Sequence, residues 1–327
     1  MIKKTKIFRC FSFLLMGALL INIIGCSKAK ETTEPSDRLV FGFAQLGDES
    51  EFRTSSSADI KRAATEAGVQ LLFENAQQKQ ANQIKAIRSF ILNKVDVIAF
   101  CPIVEEGWDN VLLEAKEAGI PVILVDRYIK TEEKALYCAF IGSDFEEEGK
   151  KAGRWIKERF QDEDEIVRIA EISGTENSSP TIGRHTGVRK ILGENSKFQI
   201  VISENGDFMR SRGRECMEEI LRKTPKIDIL YVHNDDMALG AIEVMEEQGI
   251  KPGQDIVVVS IDAQKSGLEA LKAGKINCLV ECSPYIGDEL MSLVLKISNG
   301  EEVPETTYTA EEVFTEDTDF DTLPVRP

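Results

Sequence analysis

Gly119-Ile-Pro-Val-Ile-Leu-Val-Asp-Arg127 is the stretch on which the fold turns. Its five apolar residues, mostly β-branched, form a short run that follows Gly119 and takes in Pro121. A run of this kind reads as a strand buried on both faces, as in a parallel sheet. It stops abruptly at a carboxylate and a guanidinium, Asp126 and Arg127. In open α/β sheets, ligands bind beyond the carboxyl ends of the strands. An Asp-Arg pair there is a fork of acceptors and donors suited to a polyhydroxylated ligand. The competing reading is a salt-bridged strand end with no ligand.

Outward from this run, strand and helix signals alternate. Strands are expected at 39–45, 69–74, 95–101, 122–125 and 136–141, with helices at 54–67, 78–93 and 108–118 between them. In the second of these helices Ile84, Ile87, Phe90 and Ile91 share one face. Gly68 and Gly119 each follow a helix, where glycine closes the last turn. The pattern starts again with helices at 146–160, 181–192, 211–223, 237–248 and 265–273. The strands among them fall at 166–172, 198–203, 227–233, 256–261 and 277–281. A last helix at 286–298 precedes a Glu- and Thr-rich tail with room for one or two short strands. The fold class is therefore α/β, two successive parallel sheets wound by helices. The repetition is of architecture, since no internal sequence repeat is visible.

The 327 residues are enough for two domains, each with its own core. A formal charge of −16 argues against nucleic acid or an anionic membrane surface as partner. Lys3, Lys4, Lys6 and Arg9 precede an apolar segment from Phe11 to Ile24, then Gly25-Cys26. That segment is short for a membrane span and reads as a signal peptide. A Cys behind a small residue there resembles the lipobox of bacterial lipoproteins, which implies cleavage after residue 25 and lipidation of Cys26. Without the leader's four positive charges, −16 becomes −20. Residues 26–38 read as a tether. Of seven Cys, five remain beyond Cys26: Cys101, Cys138, Cys216, Cys278 and Cys282. An odd number without tight spacing is neither a disulfide framework nor a zinc site, and buried packing is expected. With two distant His, no metal site is expected.

Polar residues gather just after the strands. Gly47 to Arg53 follow the first, Gly174 to Ser179 and Asn205 to Phe208 two others, then Asn234-Asp-Asp236, Asp262 and Glu281. Two such rims face to face make a cleft between domains, a common small-molecule site. The set holds carboxylates (Asp126, Asp262, Glu281), guanidinium groups (Arg53, Arg127, Arg184), an amide (Asn234) and two aromatics (Phe52, Phe208). Planar charged groups and amides pair with adjacent hydroxyls, and aromatic rings pack on the C–H faces of a sugar ring. No phosphate-binding glycine loop and no nucleophile elbow is present.

Gln77-Gln-Lys-Gln80, Asn82 to Arg88, Ile120 to Arg127, Gly206-Asp-Phe208, His233 to Gly240 and Ser260-Ile-Asp262 resemble the periplasmic sugar-binding proteins of the ribose/galactose type, and most closely the galactofuranose-binding branch. The resemblance runs through the chain from Leu39. It implies two flavodoxin-like domains joined by a three-strand hinge. One lobe would comprise residues 39–143 plus about 283–305, the other 144–282 plus about 306–327. It further implies that Asp126 and Arg127 hold ring hydroxyls from the first lobe and Arg184, Asn234 and Asp262 from the second. Phe52 and Phe208 would sandwich the ring, Glu49, Ser50 and Arg53 would supply first-loop contacts, Asp207 belongs to the Gly206-Asp-Phe208 motif, and Glu281 would accept at the hinge. The branch pattern Glu-Ser-Gly-Trp-Arg reads Glu49-Ser-Glu-Phe-Arg53 in this chain, which leaves the sugar open. A monomer outside the cytoplasmic membrane, delivering a monosaccharide to an ABC import permease without any cofactor, follows from the resemblance.

Two rivals use the same cleft. A glycosidase needs a carboxyl with a raised pKa, whereas Arg127 directly follows Asp126 and so favours a permanent acceptor. A sensor would present the same sugar to a chemoreceptor or histidine kinase.

Overall fold

The computed structural model describes residues 38–193, 197–224 and 226–322. The leader, Cys26 and nearly all of the tether lie outside the described residues. Twelve strands make two six-stranded sheets among the described residues.

In the first lobe β1 (Val40–Gln45), β2 (Gln70–Asn75), β3 (Val97–Phe100), β4 (Val122–Val125) and β5 (Ala139–Gly142) lie in the order 2-1-3-4-5, all parallel. In the second, β6 (Val167–Ser173), β7 (Phe198–Asn205), β8 (Ile229–Val232), β9 (Val257–Asp262) and β10 (Cys278–Glu281) take the same relative order. This is the flavodoxin-like winding, with ligands expected at the carboxyl ends near the switch in strand order. β4 is buried along its whole length, because helices cover both of its faces.

On one face of the first sheet lie α1 (Glu51–Glu66) and α9 (Gly287–Ser298), packed through Ile60, Ala64, Leu290 and Val294. On the other lie α2 (Gln80–Leu92) and α3 (Asp109–Glu117), with Ile87, Phe90 and Leu112 in the core. The second sheet is covered by α4 (Phe145–Arg159) and α5 (Ser179–Leu192) on one side. On the other side are α6 (Arg210–Lys223), α7 (Asp235–Glu247) and α8 (Lys265–Lys272).

The chain passes between the lobes three times: between β5 and α4, between β10 and α9, and in the tail. The tail holds β11 (Thr306–Tyr308), parallel to β5, and β12 (Val313–Thr315), antiparallel to β10. The third passage thus falls between Tyr308 and Val313, later than the boundary expected at about 305. Cys101, Cys216, Cys278 and Cys282 are buried thiols, while Cys138 is exposed, contrary to the packing role expected for it. No helix among the described residues is long and apolar enough to cross a membrane.

Candidate functional site

Residues at or just after the carboxyl ends of several strands, β1 and β4 in one lobe and β8 and β9 in the other among them, line a pocket with about 290 Å³ of empty space, its opening to solvent included. From the first lobe it is lined by Glu49, Ser50, Phe52, Arg53, Asp126 and Arg127. From the second come Phe145, Pro180, Arg184, Phe208, Asn234 and Asp262, and Cys282 comes from the hinge. Three guanidinium groups and three carboxylates line it, so its formal charge balances.

The first wall is built by the start of α1 and the end of β4. Ser50 caps α1 by accepting from the Arg53 amide at 3.2 Å, which starts the helix at Glu51 and not at 54. That early start points Phe52 and Arg53 inward from the first turn. Arg53 is 3% exposed and donates to Asp126 Oδ2 at 2.8 Å and to Glu49 Oε1 at 3.3 Å. Asp126 stands in the left-handed region at φ 64°. A side chain rarely adopts that geometry, and a surrounding structure must enforce it. Burial by itself pushes the Asp126 carboxyl up, but Arg53 and Arg127 outweigh burial and hold it below the usual range. Arg127 donates to the Ile103 carbonyl at 3.1 Å. Its carbon centre lies 5.1 Å from the centroid of the Phe208 ring, across the cleft.

The second wall depends on the close approach of α4 and α5. A Cβ on Gly187 would meet the Glu146 carbonyl at 2.1 Å, so only glycine permits this packing. It brings Glu148, fully buried, within 2.7 Å of Arg184 Nε. Arg184 also donates to the His233 carbonyl and sits 3.7 Å from Asp262 Oδ1. Burial pushes Asp262 well above the usual carboxylate range, against the pull of Arg184 and with Asp235 adding to the push. Phe208 takes φ 63°, and its ring lies over Gly174, where a Cβ would come within 1.9 Å of the ring.

Asn234 lines the cavity but also caps α7, its Oδ1 accepting from the Met237 amide at 3.1 Å and its amide nitrogen donating to the Phe208 carbonyl at 3.3 Å. Asn234 is thus the cap of α7, which starts at Asp235 and not at 237. Asp235 accepts from Ser260 Oγ and from the Gln264 amide, at 2.7 and 2.8 Å.

Ten of the twelve expected ligand residues thus surround one cavity. Asp207 and Glu281 do not. The Asp207 side chain is 36% exposed and lies 4.0 Å from Arg212 Nε, because the left-handed turn at 207–208 sends Phe208 inward and its neighbour out. Glu281 accepts from the Glu312 amide at 3.0 Å and ties β12 to the hinge. Side chains alternate along extended chain, so Cys282 reaches the cavity instead. Cys282, Phe145 and Pro180 escaped the sequence reading. Each lies one to four residues beyond an expected strand end or polar rim.

Three buried atoms of lining residues lack a hydrogen-bond partner: Glu49 Oε2, Arg127 Nε and Asp262 Oδ2. These atoms come from both lobes, and buried polar atoms of this kind are ordinarily satisfied by water or a ligand. Among the described residues one set has metal-ligand spacing, Glu148, Cys282 and Glu311, with ligand atoms within 4.8 Å of one another. The Arg184 guanidinium on Glu148 disfavours a cation there.

The lobes meet across the cavity mouth. The Tyr128 amide donates to Ser179 Oγ at 2.9 Å, and the Glu105 amide to the Asn177 carbonyl at 3.1 Å. The structure is a closed clamp.

Residues 41–302 match the periplasmic binding protein domain model. The galactofuranose-binding protein YtfQ of Escherichia coli (strain K12) is 35% identical over 307 residues, 93% of this chain and 96% of that one. A crystal structure from Mycobacterium smegmatis in complex with β-D-fucofuranose superposes with a TM-score of 0.84 at 48% identity, over 85% of this chain and 91% of that one. The periplasmic binding protein component of the arabinose ABC transporter from Shewanella sp. ANA-3, bound to α- and β-L-arabinofuranose, superposes at 0.82 with 40% identity, over 85% and 92%. With a family model matched over most of its length and two lobes closed on a shared cavity, the chain belongs to the periplasmic binding protein family.

Proposed function

We propose that this protein captures one neutral monosaccharide, in its furanose form, between its lobes and delivers it to an ABC import permease on the outer side of the cytoplasmic membrane, tethered through Cys26. The observation that carries the reading is the set of buried, unpartnered polar atoms on both walls of a charge-balanced cavity. Polar groups from both lobes converge on one small pocket, as expected for a single small polar ligand. Phe52, Phe145 and Phe208 line it and supply apolar surface for the C–H side of a sugar ring. The furanose form is favoured by the fucofuranose and arabinofuranose complexes of the two structural relatives, and import by the transporter to which one of them belongs.

Asp126, held ionised by two guanidinium groups, serves as a fixed acceptor. The sugar bridges the two walls and so stabilises the closed state over the open one. A thermal-shift screen over L-arabinose, D-galactose, D-fucose and D-ribose tests the reading. The expected result is a rise in melting temperature with at least one of the first three that disappears in Asp126→Ala. No shift with any of the four, or a shift retained in the variant, would contradict it.

A further inference from the structure

Glu51 stands where the galactofuranose-like pattern has glycine, and it does not line the cavity. It is the first residue of α1, between Ser50 and Phe52, which do line it. We propose that Glu51 is a latch residue: with Asp236 and Ser266 of the opposite lobe it holds the clamp shut without touching the sugar.

The argument begins with an orphan donor. The first amides of a helix have no acceptor within it. In α1 the Arg53 amide is taken by the Ser50 hydroxyl, whereas the Glu51 amide donates to Asp236 Oδ2 at 2.7 Å. Asp236 is in the first turn of α7, in the second lobe. The exchange is reciprocal. Ser266 Oγ, in the first turn of α8 and also in the second lobe, donates to Glu51 Oε2. Each lobe thus places a carboxylate at the amino end of a helix in the other, where the helix dipole favours negative charge. That arrangement offsets the repulsion between Glu51 and Asp236. Both bonds span the lobes, so both exist only in the closed state and revert to water on opening.

The latch rests on the sugar-capture reading and acts on the lifetime of the complex. Each such hydrogen bond is worth roughly a two- to tenfold change in an equilibrium constant. Stopped-flow release of a bound sugar tests it, with Glu51→Ala, Ser266→Ala and the double variant. The expected result is a dissociation rate raised about three- to tenfold in each single variant, by the same factor for every sugar bound, with the association rate within about twofold. The double variant should resemble the singles, because one bond has been removed twice. Unliganded melting temperatures should match the wild type, since the contact is lost on opening. Unchanged dissociation rates in variants of a wild type that does bind would overturn the latch alone. So would a factor that depends on the sugar, which would make Glu51 a ligand contact. A wild type that binds no sugar would overturn the capture reading and the latch with it.

Discussion

Asp126 and Glu311 both carry buried carboxyl groups, yet the two are shifted in opposite directions. Asp126 has two guanidinium groups against it and is held down. Glu311, in the third hinge passage, accepts from Thr309 Oγ1 at 3.1 Å and faces the Lys151 ammonium at 3.8 Å. Burial, with Glu148 adding to it, pushes Glu311 up to about 8 from its ordinary 4.5. A carboxyl raised in the folded chain keeps a proton that the unfolded chain has already released. Its contribution to stability is therefore complete below about pH 4.5 and is lost as pH rises toward 8, at no more than about 1.4 kcal/mol per pH unit. Glu311→Gln is expected to gain on the wild type in urea unfolding as pH goes from 5 to 8. A difference between the two proteins that stays constant over that range would contradict this account. The same scale explains what sequence could and could not show. Asp126, Arg127 and Asp262 were legible because each ends a buried apolar run. Cys282 was not, because the choice between it and Glu281 depends on the phase of side-chain alternation at the hinge.

Elements were legible in kind and order throughout, from apolar runs of strand length and the helical spacing of Ile84, Ile87 and Ile91. Their starts were less so. α1 and α7 begin three and two residues early, because Ser50 and Asn234 act as caps and draw polar residues into the first turn. Those early starts matter, since they aim Phe52 and Arg53 at the cavity and put Asp236 opposite Glu51. The pairing of α4 with α5 was also hidden, as its signal is glycine at positions where helices ordinarily carry side chains. Gly187→Ala would push Cβ into the Glu146 carbonyl, 2.1 Å away, and force the two helices apart. A loss of about 1–3 kcal/mol in chemical unfolding is expected, together with weakened sugar binding through displaced Arg184. Wild-type stability and affinity in that variant would show that the approach of the helices is not what sets Arg184.

At the scale of the whole molecule, two lobes of one topology, each with its own core, share the cavity and are linked by three passages of chain. No single lobe supplies enough partners for a ring of hydroxyls. Asp126 and Arg127 belong to one wall, Arg184 and Asp262 to the other, and the bonds at the mouth form only when the walls meet. The central claim is that one sugar is held by both walls at once. Isothermal titration of the sugar found by the thermal screen, against the wild type, Asp126→Ala and Asp262→Ala, tests it most directly. One site per chain is expected in the wild type, with affinity reduced at least about tenfold by Asp126→Ala, whose carboxylate is held ionised and whose hydrogen bonds contribute about 1.5–3 kcal/mol each, and at least about threefold by Asp262→Ala, which leaves its partners on the second wall unmatched. Wild-type affinity in either variant, or more than one sugar bound per chain, would contradict the two-walled clamp.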